Sequence, residues 1–162
     1  ASSLEFAVSL TASICAHLIA RGEPVTVVTE DGAALTGPSE VPGHDPVLDA
    51  LAALRPSART DLGGPELSRD TDVLAVLGAV APGQVEGLLA RRPTGGHAIL
   101  LDTPTWDAVP APRGAGSTAG TAAVLRRAGW QVTVAGAGSA PDVVWGALTS
   151  GAAPDGMQVT VL

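Results

Sequence analysis

Three short runs of apolar and β-branched residues, separated by stretches with helical spacing, constrain the fold of this chain more than any other feature. They are PVTVVTE (24–30), GGHAILLDT (95–103) and WQVTVAG (130–136). Each run is typical of a β-strand, and the middle run is apolar enough to be buried on both faces of a sheet. Strands that alternate with helices favour an α/β fold: a mostly parallel, doubly wound sheet of Rossmann-like architecture with helices on both faces.

The chain begins with a helix instead of a strand. Apolar residues recur at helical spacing over 3–21, and Gly22 follows as a stop signal. Ser2 and Glu5 have the spacing of a capping box, in which each side chain bonds the backbone amide of the other residue. A doubly wound sheet ordinarily starts with a strand, so the position of the first strand is empty in this pattern.

The other elements carry weaker signals. In chain order they are a return strand at 33–36, helices at 45–55, 70–80 and 83–92, a helix from Ser117 or Thr118 to Gly129, a helix at 140–150 and a last strand at 157–162. The 162 residues are long enough for a substantial core. We therefore expect a single domain over 1–162, in which 151–162 forms a tail or an extra strand.

The charge of the chain argues against a nucleic-acid partner. The formal net charge is −7 and lysine is absent, whereas binding to phosphates needs clustered basic residues. The adjacent arginine pairs, 91–92 and 126–127, lie near predicted helix C-termini. There they offset the helix dipole, which explains them better than a ligand site does.

The single cysteine excludes an internal disulfide and a cysteine zinc site. Cys15 lies beside Ile14 in the first predicted helix, which favours a buried, inert thiol over a nucleophile. The sequence contains neither a signal peptide nor an apolar run long enough to cross a bilayer. We therefore expect a soluble, cytoplasmic chain.

Two glycine-rich segments are candidate phosphate-binding loops. AGAGSA (135–140) lies between a predicted strand and a helix, but Pro141 stands where a dinucleotide fingerprint has its third glycine. RGAGSTAGT (113–121) precedes a helix and could cradle a phosphate at 113–118, although it lacks the lysine of a P-loop. For both segments a plain turn with a Ser or Thr cap is the favoured interpretation.

Asp102 is the candidate metal ligand, because it ends a buried strand at the carboxyl edge where α/β sheets build sites. Glu30 and Asp31 end another strand, and the three carboxylates together could hold Mg²⁺ or Ca²⁺. The alternative, which we favour, is that Asp102 caps the turn through DTPT.

The histidines add no metal or catalytic motif. His17, His44 and His97 lack metal-ligand spacing, and His17 is expected to be partly buried on its helix. No serine stands in a nucleophile elbow, and no nucleophile has a suitable base. We therefore predict no catalytic residues and no resident cofactor.

Four segments together resemble one known family. They are SLEFAVSLTASICAHLIARGEPVTVVTEDG, VLDALAALRPS, AILLDTPTW and LRRAGWQVTVAGAG, which span roughly residues 2–150. Their order and spacing are similar to those of the actinobacterial branch of the domain-of-unknown-function fifty-eight family, whose members carry a von Willebrand factor A-like domain. The resemblance implies a cytoplasmic domain of a membrane-anchored protein, whose genes often accompany MoxR-type AAA+ ATPases. It also implies an adaptor or assembly role, since no enzymatic activity is established for that family.

The resemblance also bears on the empty strand position. In a von Willebrand A domain the first strand precedes this kind of helix and ends in the Asp-x-Ser-x-Ser motif of a metal-ion-dependent adhesion site. We therefore expect the chain to be a fragment that starts after this strand. Of the family's metal ligands only Asp102 is matched, while Thr60 and Thr71 are possible counterparts of a loop threonine. Mg²⁺ or Mn²⁺ is thus expected to bind only if the missing motif is supplied.

The same order places the first strand between 24–30 and 95–103, where an empty slot would expose an apolar seam. We expect upstream residues, a partner chain or MQVTVL to fill it, and the open edge would also permit a homo-oligomer.

Two functions remain at this point. The first is a non-enzymatic protein-interaction or adaptor module, working with a MoxR-type AAA+ ATPase. The alternative is a Rossmann-like nucleotide-binding enzyme that uses the loops at 113–118 and 135–140.

Overall fold

The computed structural model describes residues 2–21, 25–29, 34–37, 49, 51–53, 72–78, 80–91, 96–106, 118–149 and 157–161. Four helices are bounded there: α1 Ser3–Ala20, α2 Pro82–Arg91, α3 Thr118–Arg127 and α4 Pro141–Thr149. Six strands are β1 Val25–Thr29, β2 Ala34–Gly37, β3 Asp72–Leu77, β4 His97–Leu101, β5 Gln131–Ala135 and β6 Met157–Val161. A 3₁₀ turn spans Thr103–Thr105, and residues 49, 51 and 52 are helical, within the helix predicted at 45–55.

The strands form one sheet with the order β2-β1-β6-β3-β4-β5. Every neighbouring pair is parallel except β1 and β2, which pair antiparallel as a return strand. The fold is therefore α/β with a mostly parallel sheet, and it is compatible with a Rossmann-like architecture. None of the described helices is long and apolar enough to span a membrane.

The helix predicted over 70–80 is wrong, because this stretch contains strand β3. Residues Val73 to Leu77 are each at most 1% exposed, so both faces of the strand are covered. A continuous apolar run of this length lacks the alternation that separates a strand from a buried helix segment. Strand β3 lies between β6 and β4 and pairs with both in parallel.

Strand β6, the last in the chain, occupies the slot beside β1. It pairs in parallel with β1, Val159 opposite Val27, and with β3, Val159 opposite Leu74. Of the three occupants expected for this slot, the chain's own MQVTV segment is the one present. The slot lies between β1 and β3 instead of next to 95–103, because β3 separates β6 from β4.

Two hydrophobic cores lie on the two faces of strands β3 and β4. The first core joins buried residues of α1 and α4 to alternate residues of β3 and β4, among them Leu10, Ile14, Leu74, Ile99 and Val144. The second core joins α2 and α3 to the intervening strand residues, among them Leu88, Leu100, Leu125, Ala98 and Trp130. Successive residues of β3 thus face opposite cores, which confirms that helices lie on both faces.

Local sequence signals explain where the helices begin and end. The predicted capping box is present: the Ser2 amide donates to Glu5 Oε2 at 2.7 Å, and the Glu5 amide donates to Ser2 Oγ at 3.2 Å. Gln84 similarly accepts the Ala81 amide at 2.7 Å at the start of α2. Gly129, with φ of +86°, follows α3 in the left-handed conformation that suits a helix stop. Cys15 is fully buried in α1, as predicted.

Candidate functional site at the carboxyl edge

The candidate site lies where β4 and β5 end. The chain leaves β4 toward α3, which packs in the second core, and leaves β5 toward α4, which packs in the first core. The two connections therefore diverge to opposite faces of the sheet. In α/β folds the crevice between such diverging connections is the usual position of a ligand site.

Asp102 is held at this edge through its backbone. Its amide donates to Ala135 O at 2.8 Å, and its carbonyl accepts from the amide of Thr105 at 2.9 Å. The Thr105 hydroxyl also donates to the Asp102 carbonyl, at 2.7 Å. These bonds join the end of β4 to the end of β5 and fix the 3₁₀ turn that follows.

The Asp102 side chain does not cap the 3₁₀ turn, contrary to the favoured interpretation. Its Oδ1 instead accepts a hydrogen bond from Thr118 Oγ1 at 3.0 Å, sixteen residues further along the chain. Thr118 is the first residue of α3, so the carboxylate lies near the positive end of the helix dipole. The carboxylate therefore anchors the start of α3 to the sheet.

Three backbone amides of the turn between β5 and α4 form hydrogen bonds within the chain. The Gly136 amide donates to Ser139 Oγ at 2.9 Å, and the Ala137 amide donates to Thr105 Oγ1 at 2.8 Å. The Ser139 amide donates to Gly136 O at 2.9 Å. A phosphate that engaged the Gly136 or Ala137 amide would first have to displace a hydroxyl of this chain from it.

Gly136 is the glycine of this turn that lies close to another side chain, that of Thr105. A Cβ at this position would lie 3.1 Å from Thr105 Oγ1, which is a tight contact. At Gly138, by contrast, a Cβ would meet nothing within 4 Å. Gly136 is thus explained by packing against the Thr105 side chain, and the explanation requires no ligand.

Some of the predicted site residues lie away from Asp102, and others lie outside the described residues. His17 is exposed, not partly buried as predicted, and its ring meets that of Trp145 edge-on at 6.1 Å. His97 starts β4, at the opposite end of the strand from Asp102. The other candidates, and all of the 113–118 loop except Thr118, lie outside the described residues: Glu30, Asp31, His44, Thr60 and Thr71.

Among the described residues, no group of three or more His, Cys, Asp or Glu could hold a metal ion. Asp102 is the carboxylate that the described part of the chain places at the β4–β5 edge. The hydroxyls next to it, those of Thr105 and Thr118, already form hydrogen bonds with its own backbone and side chain. Oxygen ligands from elsewhere would be needed to complete a Mg²⁺ or Mn²⁺ site.

Sequence reasoning missed several residues of this site. Thr105 and Thr118 gain their roles from partners that are distant in sequence, and isolated threonines give no signal for such bonds. Trp106 follows the 3₁₀ turn and stacks at a tilt against Phe6 of α1, with ring centroids 5.2 Å apart. This aromatic pair packs against the first core beside the candidate site.

In comparisons with known proteins, no family model, curated protein or solved structure matches this chain.

Proposed function

We propose that this chain is a non-enzymatic protein-interaction or adaptor module with a von Willebrand A-like architecture, and that its partner is a MoxR-type AAA+ ATPase. The sequence resemblance over residues 2–150 motivates the choice of partner. The strand order supports the architecture, since a parallel strand, β6, lies beside β1 where that fold has its first strand.

The observation that carries the proposal is a set of three internal hydrogen bonds at the carboxyl edge. Thr105, Ser139 and Thr118 supply hydroxyls to the groups that a ligand would otherwise engage: the Ala137 amide, the Gly136 amide and the Asp102 carboxylate. Each bond is 2.8–3.0 Å long, which is ordinary hydrogen-bond geometry. Hydrogen bonds of this kind hold the edge in one conformation. A surface of fixed shape suits recognition of a protein partner.

A second candidate function is nucleotide binding, as in a Rossmann-like enzyme that uses the loops at 113–118 and 135–140. One observation favours it: the 135–140 turn joins β5 to α4 at the point where the connections diverge. Binding would require the Thr105 hydroxyl to leave the Ala137 amide and the Ser139 hydroxyl to leave the Gly136 amide.

The two functions make opposite predictions in two measurements. Biolayer interferometry with the immobilised chain and a purified MoxR-type ATPase should give saturable binding for an adaptor. A thermal shift series with ATP, NAD, Mg²⁺ and Mn²⁺ should then leave the unfolding temperature unchanged, since a ligand that binds only the folded state raises it. A nucleotide-dependent rise without ATPase binding would support the second function instead. A rise with Mg²⁺ or Mn²⁺ alone would show that this chain completes a metal site by itself.

A further inference from the structure

Strand β5 ends the sheet order, and among the described residues no strand pairs with its outer side. The Gln131 amide donates inward to Gly96 O at 2.9 Å, and Ala135 O accepts inward from the Asp102 amide at 2.8 Å. Backbone groups alternate in direction along a strand, so those of Val132 and Val134 point away from the sheet. We call this row of outward groups the β5 edge. Such an edge is a template for an added strand.

The side chain of Arg126 lies across one end of the β5 edge. It extends from the last turn of α3, and its Nη2 donates to Val132 O at 3.2 Å in an exposed position. A charged side chain laid across an edge opposes indiscriminate strand pairing. Because the bond is long and exposed to solvent, a carboxylate could draw the guanidinium away at small cost and free the Val132 carbonyl.

The other end of the β5 edge is apolar. Val134 is 41% exposed, and Val143, in the first turn of the following α4, is 66% exposed. They are the large hydrophobic residues that the described part of the chain leaves exposed. The turn between them presents further small exposed residues, Ala137, Gly138 and Ala140. The edge thus combines a positive charge at one end with exposed apolar residues at the other.

We propose that the β5 edge is the docking site for an extended segment of the partner protein, which adds to the sheet as a further strand next to β5. The segment carries a glutamate or aspartate that pairs with Arg126, and an apolar residue beside Val134. Charge complementarity favours such a partner over a second copy of this chain. Strand β5 itself, QVTVA, contains no acidic residue to pair with the arginine of its own copy. This inference rests on the proposed function and specifies where the partner binds.

The first test uses two fluorescein-labelled peptides, TVEVTV and its glutamine counterpart TVQVTV, in anisotropy titrations up to 1 mM. We expect the acidic peptide to bind wild type about fivefold more tightly than the neutral one, as for an exposed ion pair near 1 kcal/mol. Arg126→Ala should abolish this preference. The matched control, Arg127→Ala, removes the same charge from the neighbouring exposed residue and should retain the preference. An equal preference in both variants, or no binding of either peptide, would overturn the proposal.

The second test maps the site on ¹⁵N-labelled protein. Acidic peptide should shift the amide resonances of Val132 and Val134 and slow their exchange with solvent. Val134→Pro removes an outward amide and should weaken both peptides at least tenfold. If that variant does not fold, the amide shifts in wild type decide alone. Shifts confined to other elements, or a concentration-dependent dimer that Val134→Pro dissociates, would refute an acidic partner strand at this edge.

Comparison with the ATPase separates this inference from the proposed function. If the ATPase binds wild type and binds Arg126→Ala and Val134→Pro equally well, the adaptor function stands and the β5 edge is not its docking site. If the ATPase does not bind while the acidic peptide does, the docking site stands and the proposed partner is wrong.

Discussion

Gly96→Ala is expected to be severely destabilising, because the ring of Trp130 covers this glycine. An added Cβ would lie 2.5 Å from Cε3 and Cη2 of the indole, far inside van der Waals contact. Neither side can move easily: Gly96 O accepts the Gln131 amide at 2.9 Å, and Trp130 is 3% exposed within the second core. The chain must therefore break a sheet hydrogen bond or expel part of a buried indole.

Overpacking of a core costs about 1–3 kcal/mol, and losing the burial of a large aromatic ring costs about 3–5 kcal/mol. We expect Gly96→Ala to lower the free energy of unfolding by about 3 kcal/mol. For a domain of this size that corresponds to a fall in Tm of roughly 6–12 °C. The assay is urea unfolding followed by far-UV circular dichroism, with a thermal melt of the same samples.

The control for Gly96→Ala is Gly146→Ala. Gly146 is exposed inside α4, and a Cβ there would meet nothing within 4 Å. Alanine should therefore stabilise the helix by about 1 kcal/mol. In a double-mutant cycle, Trp130→Leu should reduce the penalty of Gly96→Ala by more than 1 kcal/mol, because the obstructing ring is gone. An unchanged penalty in the Trp130→Leu background, or a Gly96→Ala variant as stable as wild type, would refute the reasoning.

Three further predictions concern hydrogen bonding. Thr11 is fully buried, and its hydroxyl has no hydrogen-bond partner among the residues that the structure describes. Thr11→Val should therefore raise the unfolding midpoint in urea by the equivalent of about 1 kcal/mol, and a loss of stability would reveal a partner for the hydroxyl. Val159→Pro should prevent cooperative unfolding in calorimetry, because β6 is paired on both sides, whereas Val134→Pro at the sheet edge should retain it. Thr105→Val should cost about 1 kcal/mol in chemical denaturation and speed hydrogen exchange at the Ala137 amide, and unchanged exchange would contradict the bond to Thr105.

Much of the fold could be predicted from local patterns. The capping box at Ser2 and Glu5 and the strands near 24–30, 95–103 and 130–136 are all present. These signals depend on neighbours within a few residues, so no knowledge of the folded chain is needed to recognise them. The same is true of Asp102, whose place at the carboxyl edge follows from its position after an apolar strand.

Other features could not be predicted because they depend on partners far away in sequence. Strand β3 is apolar from Val73 to Leu77, and only its pairing with β6 and β4 distinguishes it from a buried helix segment. The carboxylate of Asp102 bonds Thr118 instead of its own turn, and Thr105 bonds Ala137 across 32 residues. Such pairs come together only when β4, β5 and α3 are assembled.

The sequence by itself determined the α/β class, the start of α1 and the positions of most strands, since each follows from local propensity and periodicity. The tertiary structure alone decided that β6, the last strand in the chain, lies between β1 and β3. It also decided that threonine and serine hydroxyls bond the Asp102 carboxylate and two amides at the carboxyl edge. The physical reason is the same in both cases. Strand pairing and side-chain hydrogen bonds join groups that are far apart in sequence, and these groups meet only when the chain has packed into its tertiary structure.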